Sequence, residues 1–331
     1  DGMGGMVPRE PNAIYEKRYG DCKDMASIIN QILKIGGVRS YLTWIGTRNI
    51  TYNFSQVPCP LSTDHMICAY KDSAGKTWLL DATGKNAPVN LYTSMIQGKQ
   101  ALVGIDSLRY ELYDVPVIAK ETNTCRDSVF IKLENEQVTG YGLKTMNGYP
   151  KIFFDHTYNH FTAEGFKEYL TSELNKGNNT FQLTFFGVKN FDDRNAPTSV
   201  NYVCKVDNYL KRHENEIYFN FHLDKNELRY MLHENRENIP LEFDNTVSET
   251  SLVTLQLPAG YKANYVPANS SYAGDDFGFD IQYEKKNDLI TMTKHFYCNK
   301  LMIYPADFAK WNEMLRSLNR SYTESIILKR D

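Results

Sequence analysis

Three residues of this chain supply, in order, the parts of one chemistry: a thiol nucleophile, a base, and a group that orients the base. Cys22 lies within Tyr19-Gly20-Asp21-Cys22-Lys23-Asp24-Met25-Ala26, where a turn becomes an amphipathic stretch. His65 opens a short apolar run and Asp81 closes another. A thiolate can attack a carbonyl, an imidazole can carry the proton to the leaving group, and a carboxylate can fix the imidazole tautomer. Taken singly, each residue also has a plain structural reading. A buried cysteine packs as a small hydrophobe, and a hairpin often carries a polar residue at each open end.

The elements that must position these residues are legible around them. Asp21 after Gly20 is a good N-cap, and Asp24 three residues later approaches a capping box. Met25, Ile28, Ile29, Ile32 and Leu33 recur at helical spacing until Gly36-Gly37. The pattern predicts a helix from Cys22 to Ile35, buried along that apolar face. Cys22 then sits in the first turn, where the helix macrodipole favours thiolate over thiol. A first-turn N–H can also meet a developing oxyanion. Met66 to Tyr70 and Thr77 to Leu80 read as two strands joined by the turn residues Lys71 to Lys76. With that turn centred on Ser73, His65 faces Asp81 directly across the hairpin. Ser40 to Gly46 is a further strand candidate, and residues 47–63 read as a long loop able to form a wall of a substrate pocket.

The strings Arg18-Tyr19-Gly20-Asp21-Cys22-Lys23-Asp24, Asp64-His65-Met66-Ile67 and Trp78-Leu79-Leu80-Asp81-Ala82-Thr83 resemble the transglutaminase-like superfamily. The bacterial branch whose members are called cysteine proteases is the most similar, with Gly4-Gly5 and Pro8 or Pro11 in matching places before the cysteine. The resemblance covers residues 1–110. It implies Cys22 as nucleophile, His65 as base and Asp81 as orienter. It also implies an α+β fold: a transglutaminase-like, papain-like cysteine proteinase core over 1–110, followed by a mainly antiparallel β region over 111–331, in one piece or two subdomains. Asp64 departs from the family, which has Asn or a small residue there, and sets a second carboxylate beside the base. The family also has segments upstream of the glycine pair, so the chain reads as a piece of a longer protein. An exported protein of the periplasm or cell envelope is implied by the resemblance alone.

Composition narrows the partners. The net charge is −3 with no basic block, which argues against nucleic acid. No apolar run reaches the ~20 residues of a membrane span. The six cysteines have no zinc spacing and no pattern of a disulfide framework. No cofactor and no metal are expected; His156, His160 and Glu164 would share a face only if the stretch were one continuous helix. The oligomeric state is not legible. From residue 111 onward, alternating runs such as Val129 to Leu133, Ile217 to Leu223, Leu252 to Leu257, Phe277 to Ile281 and Leu289 to Thr293 predict antiparallel strands. Helices are expected from Thr162 and from Pro305, and a last strand over Ser325 to Leu328. The reading that follows is a cysteine protease or amidase, or an acyl transferase, acting on a protein or peptide through a thioester. A catalytically inactive transglutaminase fold kept as a binding or scaffold module is the alternative.

Overall fold

A computed structural model describes residues 7–84, 86–134, 136–232 and 238–330. Gly4-Gly5 lies outside the described residues. The fold is mixed α+β, with mostly antiparallel sheets and few helices. The chain divides into two compact units, 1–118 and 119–331.

In the first unit, helices α1 (Pro11–Lys17) and α2 (Cys22–Ile35) precede strands β1 (Ser40–Ile45), β2 (His65–Lys71), β3 (Thr77–Leu80), β4 (Gln100–Gly104) and β5 (Tyr110–Asp114). The strands form one antiparallel sheet in the order β3-β2-β1-β4-β5. β5 pairs with β4, which carries the unit past residue 110. Ile45, Ile67, Ala69, Leu79, Ala101 and Val103 share a core with Ile96 and Val115.

Helix α2 spans the expected residues, but its buried face differs from the expected one. It packs on β1 and β2, and the residues it buries are Asp24, Ala26, Ser27 and Asn30. Met25, Ile28, Ile29 and Leu33 are only half-buried, and Ile32 is 61% exposed. The reason is close approach. Asn30 Nδ2 donates to Ser40 Oγ at 3.0 Å on β1, and short side chains let the helix sit that near the sheet. Cys22, Ala26 and Asn30 are four residues apart in turn, so the cysteine belongs to this sheet-facing stripe.

The hairpin between β2 and β3 also differs in register. Lys71 pairs with Thr77 and Cys68 with Leu80, so the turn centres on Ala74 rather than Ser73. Gly75 takes φ +79°, a left-handed conformation that costs glycine little. Asp72 then closes the loop, its Oδ1 accepting from the backbone N–H groups of Ala74 and Lys76, each at 2.9 Å. The ladder therefore sets Ile67, not His65, level with position 81. A shift of two residues leaves every side chain on its original face.

In the second unit, β6 (Thr124–Glu134), β7 (Gln137–Met146), α3 (Tyr149–His160), α4 (Ala163–Glu173), β8 (Gln182–Lys189), β9 (Thr198–Asp207), β10 (Lys211–His213) and β11 (Glu216–Phe219) come first. Then follow β12 (Leu241–Glu242), β13 (Val247–Gln256), β14 (Tyr261–Tyr265), β15 (Ser270–Ala273), β16 (Phe277–Lys286), β17 (Leu289–Cys298), β18 (Met302–Ile303), α5 (Phe308–Tyr322) and β19 (Ile326–Arg330). An eight-stranded sheet runs β15-β16-β17-β13-β6-β7-β9-β8, antiparallel except where β13 lies parallel to β6. A four-stranded sheet runs β10-β11-β19-β14, and β12 pairs with β18. One core joins these layers and α5, which buries Trp311, Met314, Leu315, Leu318 and Tyr322.

α3 was not expected as a helix. His156 and His160 lie on it and stack ring on ring at 4.0 Å. Phe161 is extended and Thr162 caps α4, so Glu164 lies beyond a break, off the face of the two histidines. Among the described residues no group of three or more His, Cys, Asp or Glu side chains is arranged to hold a metal ion. Among them, too, no helix is long and apolar enough to cross a membrane.

Candidate active site

Cys22 is the first residue of α2, and its position follows from how that helix is started. Asp21 caps it, its carboxylate accepting from Lys23 N at 3.0 Å and Asp24 N at 3.3 Å. Asp24 answers by accepting from Asp21 N at 3.1 Å, which completes the capping box. Asp24 is itself buried, at 1% exposure, and is bonded by the Arg9 backbone N–H at 3.0 Å and the Arg9 Nε at 2.8 Å. The segment before α1 is thus tied to the turn that presents the cysteine. Gly20 permits this packing: a Cβ there would lie 2.5 Å from the Asp24 Cβ, far inside contact distance.

His65 is the first residue of β2 and is buried. Its Nε2 lies 2.7 Å from Asp81 Oδ2. Asp81 follows the last residue of β3, free of the ladder, and so can reach back to the ring despite the shifted register. Four hydrogen bonds fix its carboxylate. His65 and Thr93 Oγ1, the latter at 2.6 Å, share Oδ2, while Thr83 N at 2.9 Å and Thr83 Oγ1 at 2.7 Å share Oδ1. Burial opposes the Asp81 charge. The His65, Thr93 and Thr83 hydrogen bonds more than offset it, and the carboxyl is held down to about 2. Asp81 is therefore ionised at neutral pH, so Nε2 carries the proton and donates it, leaving Nδ1 as the other ring nitrogen.

The ring and the thiol shift each other. Burial alone would lower the His65 pKa, but hydrogen bonds to Asp81 and Cys22 push it up to about 9. The Cys22 thiol is lowered, first by hydrogen bonding to the imidazole, against burial, with further help from the Met66 backbone N–H and Lys23. The shifts run toward each other, which favours a thiolate–imidazolium pair. The other shifted cysteines move the opposite way. Burial raises Cys68, and it pushes Cys125 and Cys298 up to about 12 and Cys204 to about 11. All six thiols are free.

Asp64 does not compete for the ring. Its carboxylate accepts from Thr47 N and Thr47 Oγ1, both at 2.7 Å. The loop 47–63 is held at several further points. The buried Lys99 Nζ donates to Ile50 O at 2.6 Å and Tyr52 O at 2.8 Å, and Ser55 N donates to Gln100 Oε1 at 2.8 Å. Burial lowers the Lys99 pKa. The arrangement as a whole can generate a nucleophilic sulfur, pass a proton through one imidazole and hold that imidazole in a single tautomer.

Sequence reasoning named Cys22, His65 and Asp81, and the structure brings the three together. It missed Arg9, Lys99 and Thr93, and gave no role to Thr83. A threonine two residues after an aspartate is a known local hydrogen-bonding pattern, so the Thr83 role was within reach. Thr93 carries no such signal.

Residues 215–328 match a family described as Domain of Unknown Function with solved-structure structure, DUF3858. No curated protein matches the chain. One solved structure, that of a putative protease from Parabacteroides distasonis, is similar over 97% of this chain, with a TM-score of 0.49 and 10% identity. This chain covers 46% of that one, so it spans about half its length.

Proposed function

We propose that the first unit is a transglutaminase-like domain and that the protein is a cysteine hydrolase acting on peptide or side-chain amides through a thioester. One observation carries the reading: a buried histidine, held by an ionised carboxylate at 2.7 Å, lowers the pKa of a cysteine in the first turn of a helix.

In this scheme the Cys22 sulfur attacks the amide carbonyl carbon and forms a C–S bond. The carbonyl π electrons move to oxygen, where an N–H of the first turn of α2 stabilises the charge. The tetrahedral intermediate collapses, the C–N bond breaks, and imidazolium His65 gives its proton to the leaving amine. His65, now neutral, takes a proton from water as the water attacks the thioester; the C–S bond then breaks, releasing the acid and restoring the thiolate–imidazolium pair. Asp81 keeps Nε2 protonated throughout, so that Nδ1 is the nitrogen that exchanges the proton with sulfur and leaving group. An amine in place of water would make the same intermediate a transferase product. The resemblance to the bacterial protease branch favours water. The same resemblance supports an exported protein of the periplasm or cell envelope, which fractionation of cells expressing the full-length chain tests.

The test of activity is release of a fluorogenic amine from peptide amides by the wild type, Cys22→Ala and His65→Ala, each with folding verified by circular dichroism. Loss of release in both variants supports the reading. Equal release by Cys22→Ala overturns it.

A further inference from the structure

The second unit contains a cavity of about 280 Å³ lined by charged, polar and aromatic side chains. It lies among the central strands β6, β7 and β13, helices α3 and α4, and the turn at residues 226–230. Glu249 enters it from β13, a central strand, where it pairs with Cys125 on β6 and Phe296 on β17. Among the described residues, the Glu249 carboxylate has no hydrogen-bond or ion-pair partner. Burial and then Glu227 push its pKa up to about 7, with Asp224 adding to the rise and Lys294 and Lys144 opposing it. A half-buried carboxylate in a central strand without an ion-pair partner carries a desolvation cost, which the cations near it offset only in part.

Lys144, Arg229, Glu173 and Asp244 also line the cavity, and Glu249 acts on the Arg229 charge without forming an ion pair with it. Lys144 Nζ lies 2.6 Å from Glu173 Oε1. Arg229 donates to the Tyr230 hydroxyl at 2.8 Å and lies over the Tyr230 ring. Rings also line it, Phe153 from α3, Tyr169 from α4 and Tyr230 among them, beside apolar residues such as Met146 and Val247 and polar ones such as Asn123 and Ser248. A carboxylate without a partner beside aromatic faces attracts an organic cation, since the carboxylate supplies the charge and the rings supply the quadrupole and the apolar contact.

We propose that this cavity binds an organic ammonium group carried on a short apolar stem, with Glu249 as its counter-ion and the rings of Tyr169, Tyr230 and Phe153 around the stem. The site is independent of Cys22 and of the activity proposed for the first unit.

The probe is n-butylammonium chloride, with n-butanol as its neutral counterpart of similar shape, titrated into the whole chain and followed by ligand-observed NMR. Wild type is expected to bind the ammonium and to bind the alcohol more weakly. Glu249→Gln keeps the shape and removes the charge, and is expected to weaken ammonium binding by about tenfold or more. Tyr169→Leu is expected to weaken binding of both probes. Thermal melting verifies that each variant is folded. Glu249→Gln should melt no lower than wild type, since it relieves an incompletely compensated charge. Equal ammonium binding by wild type and Glu249→Gln, equal binding of ammonium and alcohol, or no binding by the folded wild type because Arg229 closes on Glu249, overturns the proposal.

Discussion

Replacing Asp81 with asparagine tests how the thiol is activated. Asparagine keeps the shape of the side chain but removes the charge that holds His65. The His65 pKa stands at about 9 against an ordinary 6.5, and at about 1.4 kcal/mol per unit this is roughly 3 kcal/mol favouring the imidazolium. Burial opposes that figure, while Asp81 and then Cys22 supply it. Asp81 is the larger contributor, so its removal should cost the imidazolium at least about 1.5 kcal/mol, or a factor of about ten. The thiolate of Cys22 loses its counter-ion to the same extent. The assay is alkylation of Cys22 by iodoacetamide across pH 5 to 10, read by mass spectrometry on the peptide that contains it. Cys125, Cys204 and Cys298, all raised by burial, act as slow internal standards. Wild type should react readily at mildly acid pH, because the ion pair forms below the ordinary thiol range. In Asp81→Asn the rate near pH 6 should fall about tenfold, with the acid limb of the profile moving to higher pH. Superimposable wild-type and Asp81→Asn profiles would refute the proposal that the carboxylate acts through the ring.

Three further outcomes are expected. Gly20→Ala should destabilise the first unit by about 1–3 kcal/mol, because the new Cβ meets the Asp24 side chain, and it should slow Cys22 alkylation as the capping box shifts; urea unfolding and the alkylation rate check both. Lys99→Met should cost about 1–3 kcal/mol, since it leaves the Ile50 and Tyr52 carbonyls without their donor, and should increase proteolytic cutting within 47–63. The His65–Asp81 contribution to stability should depend on pH with a definite sign. The raised His65 pKa stabilises fully below about 6.5 and loses its effect as pH rises through about 9, while the depressed Asp81 pKa stabilises fully above about 3.8 and loses its effect as pH falls through about 2. The stability gap between wild type and Asp81→Asn should therefore be widest between about pH 4 and 6.5 and should narrow toward pH 9, measured by urea unfolding at several pH values.

The start of α2 was legible because a cap is local chemistry: Asp21, Asp24 and Gly20 declare it within five residues. The face that α2 buries was not legible. The apolar periodicity pointed to Met25, Ile28 and Ile32, whereas close approach to β1 selected Ala26, Ser27 and Asn30, and nothing in the helix itself reveals that neighbour. The hairpin register was wrong by two residues because Gly75, and not the midpoint of the polar run, set the turn. The error left the candidate site intact because a two-residue shift keeps each side chain on its face and because Asp81, just past β3, is free of the ladder and reaches His65. α3 was hidden by its polar, aromatic sequence, which has weak helical periodicity, and β7 by Gly140 and Gly142, which interrupt its alternation. Thr93 comes to Asp81 through the path of a loop, which no spacing rule encodes.

The central claim is that Cys22 carries an acyl group with the help of His65. The most direct measurement is the intact mass of protein quenched in acid after brief exposure to a peptide p-nitrophenyl ester, followed by mapping of the adduct. The account expects an acyl thioester on Cys22 of the wild type, absent in Cys22→Ala and formed far more slowly in His65→Ala. An adduct that forms on Cys22 at the same rate with and without His65, or no adduct on Cys22 at all, would contradict it.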